Sequence, residues 1–327
     1  MQLTSTIDLP REVEAQVSTP AIYTQGLAKQ YHHTSALRSL TMDVPQGEIF
    51  GFLGPNGAGK TTAVKLLVGL IKPTGGEGRV LGEPLGDRET RRRIGYLPEL
   101  FRYQDWLSGR EVLSLHCKLA GIPPRRRDAE IAAALNTVSL EGREHDRVGT
   151  YSKGMQQRLG LAVALLGEPD LVFLDEPTSA LDPVGRHDVR EIIRALKQRR
   201  TTVFLNSHLL TEVEQVCDRV AVVNKGEVIA LGTLSELRGV ESVVRIRLSP
   251  GADTPAVLLR YGAEHRDGRH VVRDISPENV AGLVTELVRS GAAIYAVEPE
   301  THSLEDRFLE LLGGTNAGSD DRDPHAA

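Results

Sequence analysis

Cysteine is scarce: Cys117 and Cys217 are the only two in 327 residues, and they lie far apart in the chain. That excludes a disulfide scaffold and a cysteine-rich metal cluster, and it predicts buried thiols in a reducing compartment. Long apolar runs are missing too. None approaches the ~18 residues of a membrane-spanning helix; the stretch Leu159 to Leu166 stops at Gly167-Glu168-Pro169-Asp170. The first twenty residues lack the basic-then-apolar pattern of a signal peptide. Any dealings with a membrane are therefore expected to run through a partner. Nor is there an excess of positive charge: 39 Lys and Arg face 44 Asp and Glu, a formal charge of −5. A protein built to coat nucleic acid would be basic, and no nucleic-acid partner is expected.

What the chain does have is a stretch that organises the rest. Gly54-Pro55-Asn56-Gly57-Ala58-Gly59-Lys60-Thr61-Thr62 follows the apolar run Ile49 to Leu53 and opens a helical pattern. This is a G-x-x-x-x-G-K-T phosphate-binding loop in the strand-to-helix context it requires. The small residues let consecutive backbone N–H groups of Asn56, Gly57, Ala58 and Gly59 turn toward phosphates. Lys60 reaches the β and γ oxygens, and Thr61 is placed to put its hydroxyl on Mg²⁺. A glycine-rich turn that happens to carry a lysine is the bland alternative, and it becomes less tenable with each distant partner found below.

The length is about twice that of a usual domain, which predicts two. Residues 1–20 are polar and aperiodic, and are expected to be a disordered tail. Ala21 to Asp43 reads as short alternating segments, broken near Gly26 and His32-His33-Thr34, of an antiparallel outer sheet. Residues 94–97 form a short strand. About 100–165 is a helical insertion in which Val112, His116 and Leu119, then Ile131, Leu135 and Val138, recur at helical spacing. Leu171 to Leu174 and Thr202 to Leu205 are continuous apolar strands of the kind buried on both faces of a parallel sheet. The helix from Gly185 carries a Val189, Ile192, Ile193 and Leu196 stripe, and a further helix spans Leu209 to Val216. The alternation predicts an α/β sheet with helices on both faces. After about Glu236 the pattern changes. A strand with Val244, Ile246 and Leu248 on one face and Arg245 and Arg247 on a wet face starts a small α/β module over 240–312. It continues through a Ser276-capped helix and ends in a helix from Ser303. Residues 313–327 are expected to be a second disordered tail.

Asp175-Glu176 closes the first of those apolar strands, where a parallel sheet presents polar groups to a ligand. Asp175 would join the Mg²⁺ shell, and Glu176 could accept a proton from an attacking water. His208 follows the next strand and either senses a γ-phosphate or caps a helix. His32 and His33 have no further ligands at metal spacing and read as surface residues. Ser152 precedes an Ala/Leu-rich helix, as a plain cap or as a second anion site.

In these motifs the chain resembles the ATP-binding subunit of an ABC transporter, over about residues 21–236. Gly54 to Thr62 is similar to that family's Walker A loop and Leu171 to Glu176 to its Walker B strand with the catalytic glutamate. Ser179-Ala180-Leu181-Asp182 is similar to its D-loop, His208 to its switch histidine and Ser152-Lys153-Gly154-Met155 to its signature motif. The resemblance implies an ABC-type P-loop NTPase fold, ATP and Mg²⁺ as cofactors, and catalysis by Glu176, His208 and Lys60. It also implies a head-to-tail homodimer in which Ser152 and Gly154 meet the ATP held by the opposite Lys60, with Asp182 at the same interface. Tyr31 corresponds to the aromatic residue that stacks on adenine, with Tyr23 as the neighbouring alternative.

Three departures qualify it. Tyr151, Lys153 and Met155 replace the usual signature residues around Ser152 and Gly154. Glu99 stands where the family places its Q-loop glutamine; it could still ligate Mg²⁺ but, ionised, could not donate a hydrogen bond. The 240–312 module resembles that of bacterial ATPases serving ABC-2 type exporters. This points to an integral membrane permease of ABC-2 type as partner and to the cytoplasmic face of the cell membrane as location. An importer ATPase, or a soluble ABC-type ATPase acting on nucleic acid or ribosomes, is the alternative.

Overall fold

The computed structural model describes residues 19–179, 181–238, 242–249, 255–266, 268–273, 275–301 and 304–314. Ala180, Ser303, and residues 1–18 and 315–327 of the tails expected over 1–20 and 313–327, lie outside them.

The chain opens with a long antiparallel hairpin, β1 (Ile22–Tyr31) and β2 (Thr34–Val44). Gly26 does not break β1 as its turn-forming character suggested. It takes φ 58° inside the strand, at a register shift between Thr24 and Leu27, so the break is a bulge. β3 (Ile49–Leu53) leads into α1 (Lys60–Leu67), and β4 (Gly75–Val80) and β5 (Glu83–Pro84) extend the hairpin outward. After α2 (Arg88–Arg91) and β6 (Ile94–Leu97) come the helices of the insertion: α3 (Gly109–Leu119), α4 (Pro124–Thr137) and α5 (Lys153–Ala164). The chain then alternates through β7 (Leu171–Asp175), α6 (Pro183–Gln198), β8 (Thr202–Ser207), α7 (Leu210–Val216), β9 (Arg219–Asn224), β10 (Glu227–Thr233) and α8 (Leu234–Arg238).

These strands form one ten-stranded sheet in the order β5-β4-β1-β2-β10-β9-β3-β8-β7-β6. Its heart is parallel: β9, β3, β8, β7 and β6 run side by side in one direction. Every residue of β3, β7 and β8 is buried, as strands covered on both faces must be. Phe50, Phe52 and Phe173 pack around Phe204 on one face, together with α1. The other face is covered by the insertion helices with α6 and α7. This is the α/β architecture of a P-loop NTPase with an antiparallel outer sheet. Because the strands are parallel, the loops after β3, β7 and β8 all emerge at one edge.

In α3 the buried stripe is Val112, Leu113 and Cys117, while Leu119 is 74% exposed and His116 half-buried. The Val112, His116 and Leu119 spacing was a correct helix signal that pointed at the wrong face. Both cysteines are buried free thiols.

The remaining strands, β11 (Ser242–Leu248), β12 (Glu264–Arg266), β13 (Arg269–Val272) and β14 (Ile294–Thr301), form an antiparallel sheet in the order β12-β13-β11-β14. It is backed on one face by α9 (Ala256–Arg260) and α10 (Pro277–Arg289). Arg245 and Arg247 are half-buried on its other face, not fully wet. The last helix, α11 (Leu304–Gly314), takes in Gly313 and Gly314 and so runs past the expected start of the tail. It packs back on α7 and α8, with Leu304 in the main core and Phe308 and Leu311 against it.

Candidate active site

The loop between β3 and α1 is shaped by what its glycines touch. A Cβ on Gly59 would stand 2.4 Å from the Ala36 carbonyl oxygen, and its φ of 100° disfavours any other residue. A Cβ on Gly54 would stand 2.3 Å from the Val223 carbonyl oxygen. The loop is therefore pressed against β2 and β9, and within it the Ala58 amide donates to the Pro55 carbonyl at 3.2 Å. Lys60 is held at the mouth of α1, where its ammonium donates to the Gly54 carbonyl at 2.7 Å and the Pro55 carbonyl at 3.3 Å. Burial pushes its pKa below the usual lysine range, and the charges of Glu176, Asp175 and Glu99 oppose that shift.

Around this loop lies a cleft of about 550 Å³, lined by Asn56, Gly57, Ala58, Gly59, Lys60, Thr61 and Thr62 together with Glu99, Glu176 and His208. The structure thus gathers residues that are far apart in the chain. Glu176 is 7% exposed and sits at φ 53°, a left-handed conformation that turns the chain sharply after β7. Its amide donates to the Asn206 carbonyl at 2.9 Å, and its Oε2 lies 2.8 Å from His208 Nδ1. Asp175, at the end of β7, is buried. Its Oδ1 accepts from the Asn206 side-chain amide, while its Oδ2 is buried without a hydrogen-bond partner. Burial raises its pKa; the Asn206 hydrogen bond opposes this, and the nearby Glu99 and Glu176 add to it. Tyr96, below the same cluster on β6, is pushed up to about 12 by burial and by Asp175 and Glu99.

Asn206 and the Thr34–Ala36 segment also line the cleft, and sequence reasoning missed both. Asn206 did leave a signal: it is a polar residue ending a buried apolar strand, in register with Asp175 across the β7/β8 pair. Tyr31 does not line the cleft. It ends β1 opposite Thr34, which does, and its exposed ring carries the Lys29 ammonium 5.1 Å from the centroid.

Ser152, Gly154 and Asp182 lie elsewhere. They line a second pocket, of about 440 Å³, with Lys153, Met155 and Val184. Ser152 caps α5, accepting from the Met155 amide at 3.2 Å, and Asp182 caps α6, accepting from the Gly185 amide at 2.7 Å. A Cβ on Gly154 would meet nothing closer than 3.9 Å. Within the chain, then, nothing requires a glycine there.

Comparison with known proteins agrees with this geometry. Residues 37–179 match the ABC transporter family. An uncharacterized ABC transporter ATP-binding protein of Synechocystis is 42% identical over 279 residues, spanning 85% of this chain and 78% of that protein. The chain belongs to the ABC transporter ATP-binding proteins. This ABC ATPase is also 36% identical to the bacitracin transport ATP-binding protein BcrA of Bacillus licheniformis, over 91% of this chain and 99% of that one. It is 36% identical to the daunorubicin/doxorubicin resistance ATP-binding protein DrrA of Streptomyces peucetius, over 90% and 93%. Among solved structures, the ATP-binding subunit of an ABC transporter superposes with a TM-score of 0.61 at 27% identity, covering 82% of this chain and 99% of that one. A dimeric, post-hydrolysis ATP-binding cassette bound to ADP and Pi shares the fold, with a TM-score of 0.60 at 24% identity over 65% of this chain and 99% of that one. The chain is thus an ATP-binding, ATP-hydrolysing subunit of that family. No helix among the described residues is long and apolar enough to cross a membrane.

Proposed function

We propose that this ABC ATPase powers export through a separate permease of ABC-2 type, acting as a head-to-tail homodimer at the cytoplasmic face of the cell membrane. One observation carries the export reading: the likeness to BcrA and DrrA spans nine-tenths of the chain, so it extends past the 21–236 ATPase domain into the 240–312 module. The names of those relatives concern bacitracin transport and drug resistance.

The site residues take roles that follow from their placement. On nucleotide binding, Lys60 exchanges the Gly54 and Pro55 carbonyls for β and γ oxygens, and the loop N–H groups cradle the phosphates. Glu176 takes the proton of the attacking water as the γ-phosphorus–oxygen bond to ADP breaks. His208, hydrogen-bonded to Glu176, orients that carboxylate and meets the γ-phosphate. The oxygen set fits Mg²⁺: Asp175 has an orphaned buried Oδ2, and Thr61 and Glu99 line the same cleft. Among the described residues no three His, Cys, Asp or Glu side chains form a metal site alone, so the ion would be shared with the phosphates. When bound, Mg²⁺ would neutralise charge on the β and γ oxygens. The exposed ring of Tyr31 would stack on adenine.

The dimer reading gains support from Gly154. The pocket it shares with Ser152 and Asp182 is separate from the cleft of Lys60, and an open position kept as glycine suits close approach by a group from outside the chain. Ser152 Oγ accepts from Met155, which leaves its hydroxyl hydrogen to donate to a phosphate of the opposite site.

Permease contact is assigned to residues 99–120. Leu100 is 88%, Trp106 71% and Leu119 74% exposed there, and β6 is an edge strand of the sheet among the described residues. Co-expression with an ABC-2 type permease, followed by site-specific crosslinking, tests the assignment. Crosslinks from 99–120 to a permease loop are expected; crosslinks only from 240–312, or none while the chain still reaches the membrane, would overturn it.

A further inference from the structure

Helix α6 carries a set of polar ties that the catalytic roles above do not use. On one side Asp188 forms a close ion pair with Arg158 of α5. On the other, Arg190 Nη1 donates to both carboxylate oxygens of Glu212 on α7, at 2.9 and 2.8 Å. Further along, Arg194 donates to the Gln215 carbonyl at 3.0 Å and Lys197 pairs with Asp218 just past α7. Positions 190, 194 and 197 share one helix face, so the three ties run as a ladder along the α6/α7 seam. The innermost rung is the buried one, with Arg190 15% and Glu212 8% exposed.

Such a pair adds little net stability over apolar residues of the same volume, because desolvation of both charges offsets their attraction. What it does fix is register: a buried ion pair between two helices, here one Arg190 nitrogen shared by both Glu212 oxygens, opposes their sliding or rolling independently. The N-terminal ends of the three tied helices matter here. α5 begins directly behind Ser152, α6 begins at Asp182, and α7 begins two residues after His208, whose ring holds Glu176.

We propose that Arg158–Asp188 and Arg190–Glu212 form a relay across α6, through which contact of Ser152 with the opposite subunit's nucleotide positions His208 against Glu176 of its own chain. These are positioning residues: Arg158 and Asp188 line the Ser152 pocket, whereas Arg190 and Glu212 line neither that pocket nor the Lys60 cleft. The inference rests on the head-to-tail reading given above.

The test is steady-state ATPase kinetics of the full-length homodimer, with fluorescent-nucleotide titration and thermal melting in parallel. Asp188→Asn and Glu212→Gln are each expected to lower kcat about tenfold, a typical coupling magnitude. KM and nucleotide affinity should stay within about twofold, since Lys60 and its loop are untouched. Links in one series fail together, so the double variant should also lose about tenfold, whereas independent defects would multiply to about a hundredfold. Ser152→Ala serves as the control. If it leaves kcat intact, the head-to-tail reading fails and the relay with it. If it abolishes turnover while the two variants keep wild-type kcat, change only melting temperature, or multiply, the relay alone is refuted. Should Glu212→Gln fail to fold, Arg190→Gln, which breaks the same link from its other side, replaces it.

Discussion

Replacing Glu176 by glutamine removes one proton acceptor and almost nothing else. The side chain keeps its length, and an amide can turn either face to His208 Nδ1, so the 2.8 Å contact survives. The backbone bond from residue 176 to the Asn206 carbonyl does not involve the side chain. A positioned general base is worth about 10²- to 10⁴-fold in rate, which corresponds to about 3–5 kcal/mol of barrier. Phosphate release by Glu176→Gln is therefore expected to fall by at least about a hundredfold. Binding of a fluorescent ATP analogue should persist, and ATP should trap a dimer visible by gel filtration. The wild-type chain hydrolyses its ATP and should not accumulate that species. Turnover within about tenfold of wild type, a loss too small for a general base, would falsify the assignment of Glu176 and move the base elsewhere in the cleft.

Lys60→Ala should act one step earlier, abolishing nucleotide binding in the same titration, because it removes the ammonium that replaces its carbonyl contacts with phosphate contacts. Gly154→Ala should melt close to wild type, since its Cβ meets nothing within 3.9 Å, yet lose ATPase activity; retained activity would refute close approach of a nucleotide there. Gly59→Ala should do the reverse of tolerance, destabilising the chain through contact with the Ala36 carbonyl oxygen and strain at φ 100°. A mixed dimer of Ser152→Ala and Lys60→Ala chains, purified through two tags, should keep measurable activity at its one site with intact Lys60 and opposite Ser152, lowered about tenfold by loss of that subunit's own relay input, while both homodimers are nearly inactive. Loss of activity in the mixed dimer, alongside an active Lys60→Ala/wild-type dimer, would mean Ser152 serves its own subunit.

The phosphate loop and the Asp175-Glu176 strand end were legible because their residues are dictated locally, by close backbone approach and by burial of a whole strand. Glu99 was legible only as an oddity of position; its entry into the cleft depends on β6 lying beside β7, a neighbour relation no local pattern encodes. Asn206 was passed over for a similar reason, since its importance comes from register with Asp175 across two strands. In α3, Val112 satisfies both the stripe running to Leu119 and the one through Leu113 and Cys117. Packing against the sheet and α5, not periodicity, selected the second. The antiparallel pairing of β1 and β2 and their turn at His32-His33-Thr34 were legible, but their length was not, because Gly26 punctuates like a turn in sequence while serving as a bulge in the sheet.

The backbone of Glu176 has a consequence for anyone engineering this ATPase. A non-glycine residue held at φ 53° costs on the order of 1–2 kcal/mol, and glycine or asparagine would relieve it. A library selected only for heat resistance should therefore enrich Gly or Asn at 176 and discard the carboxylate with the strain. Hardening the enzyme by such a screen would select inactive protein unless turnover is scored at the same time.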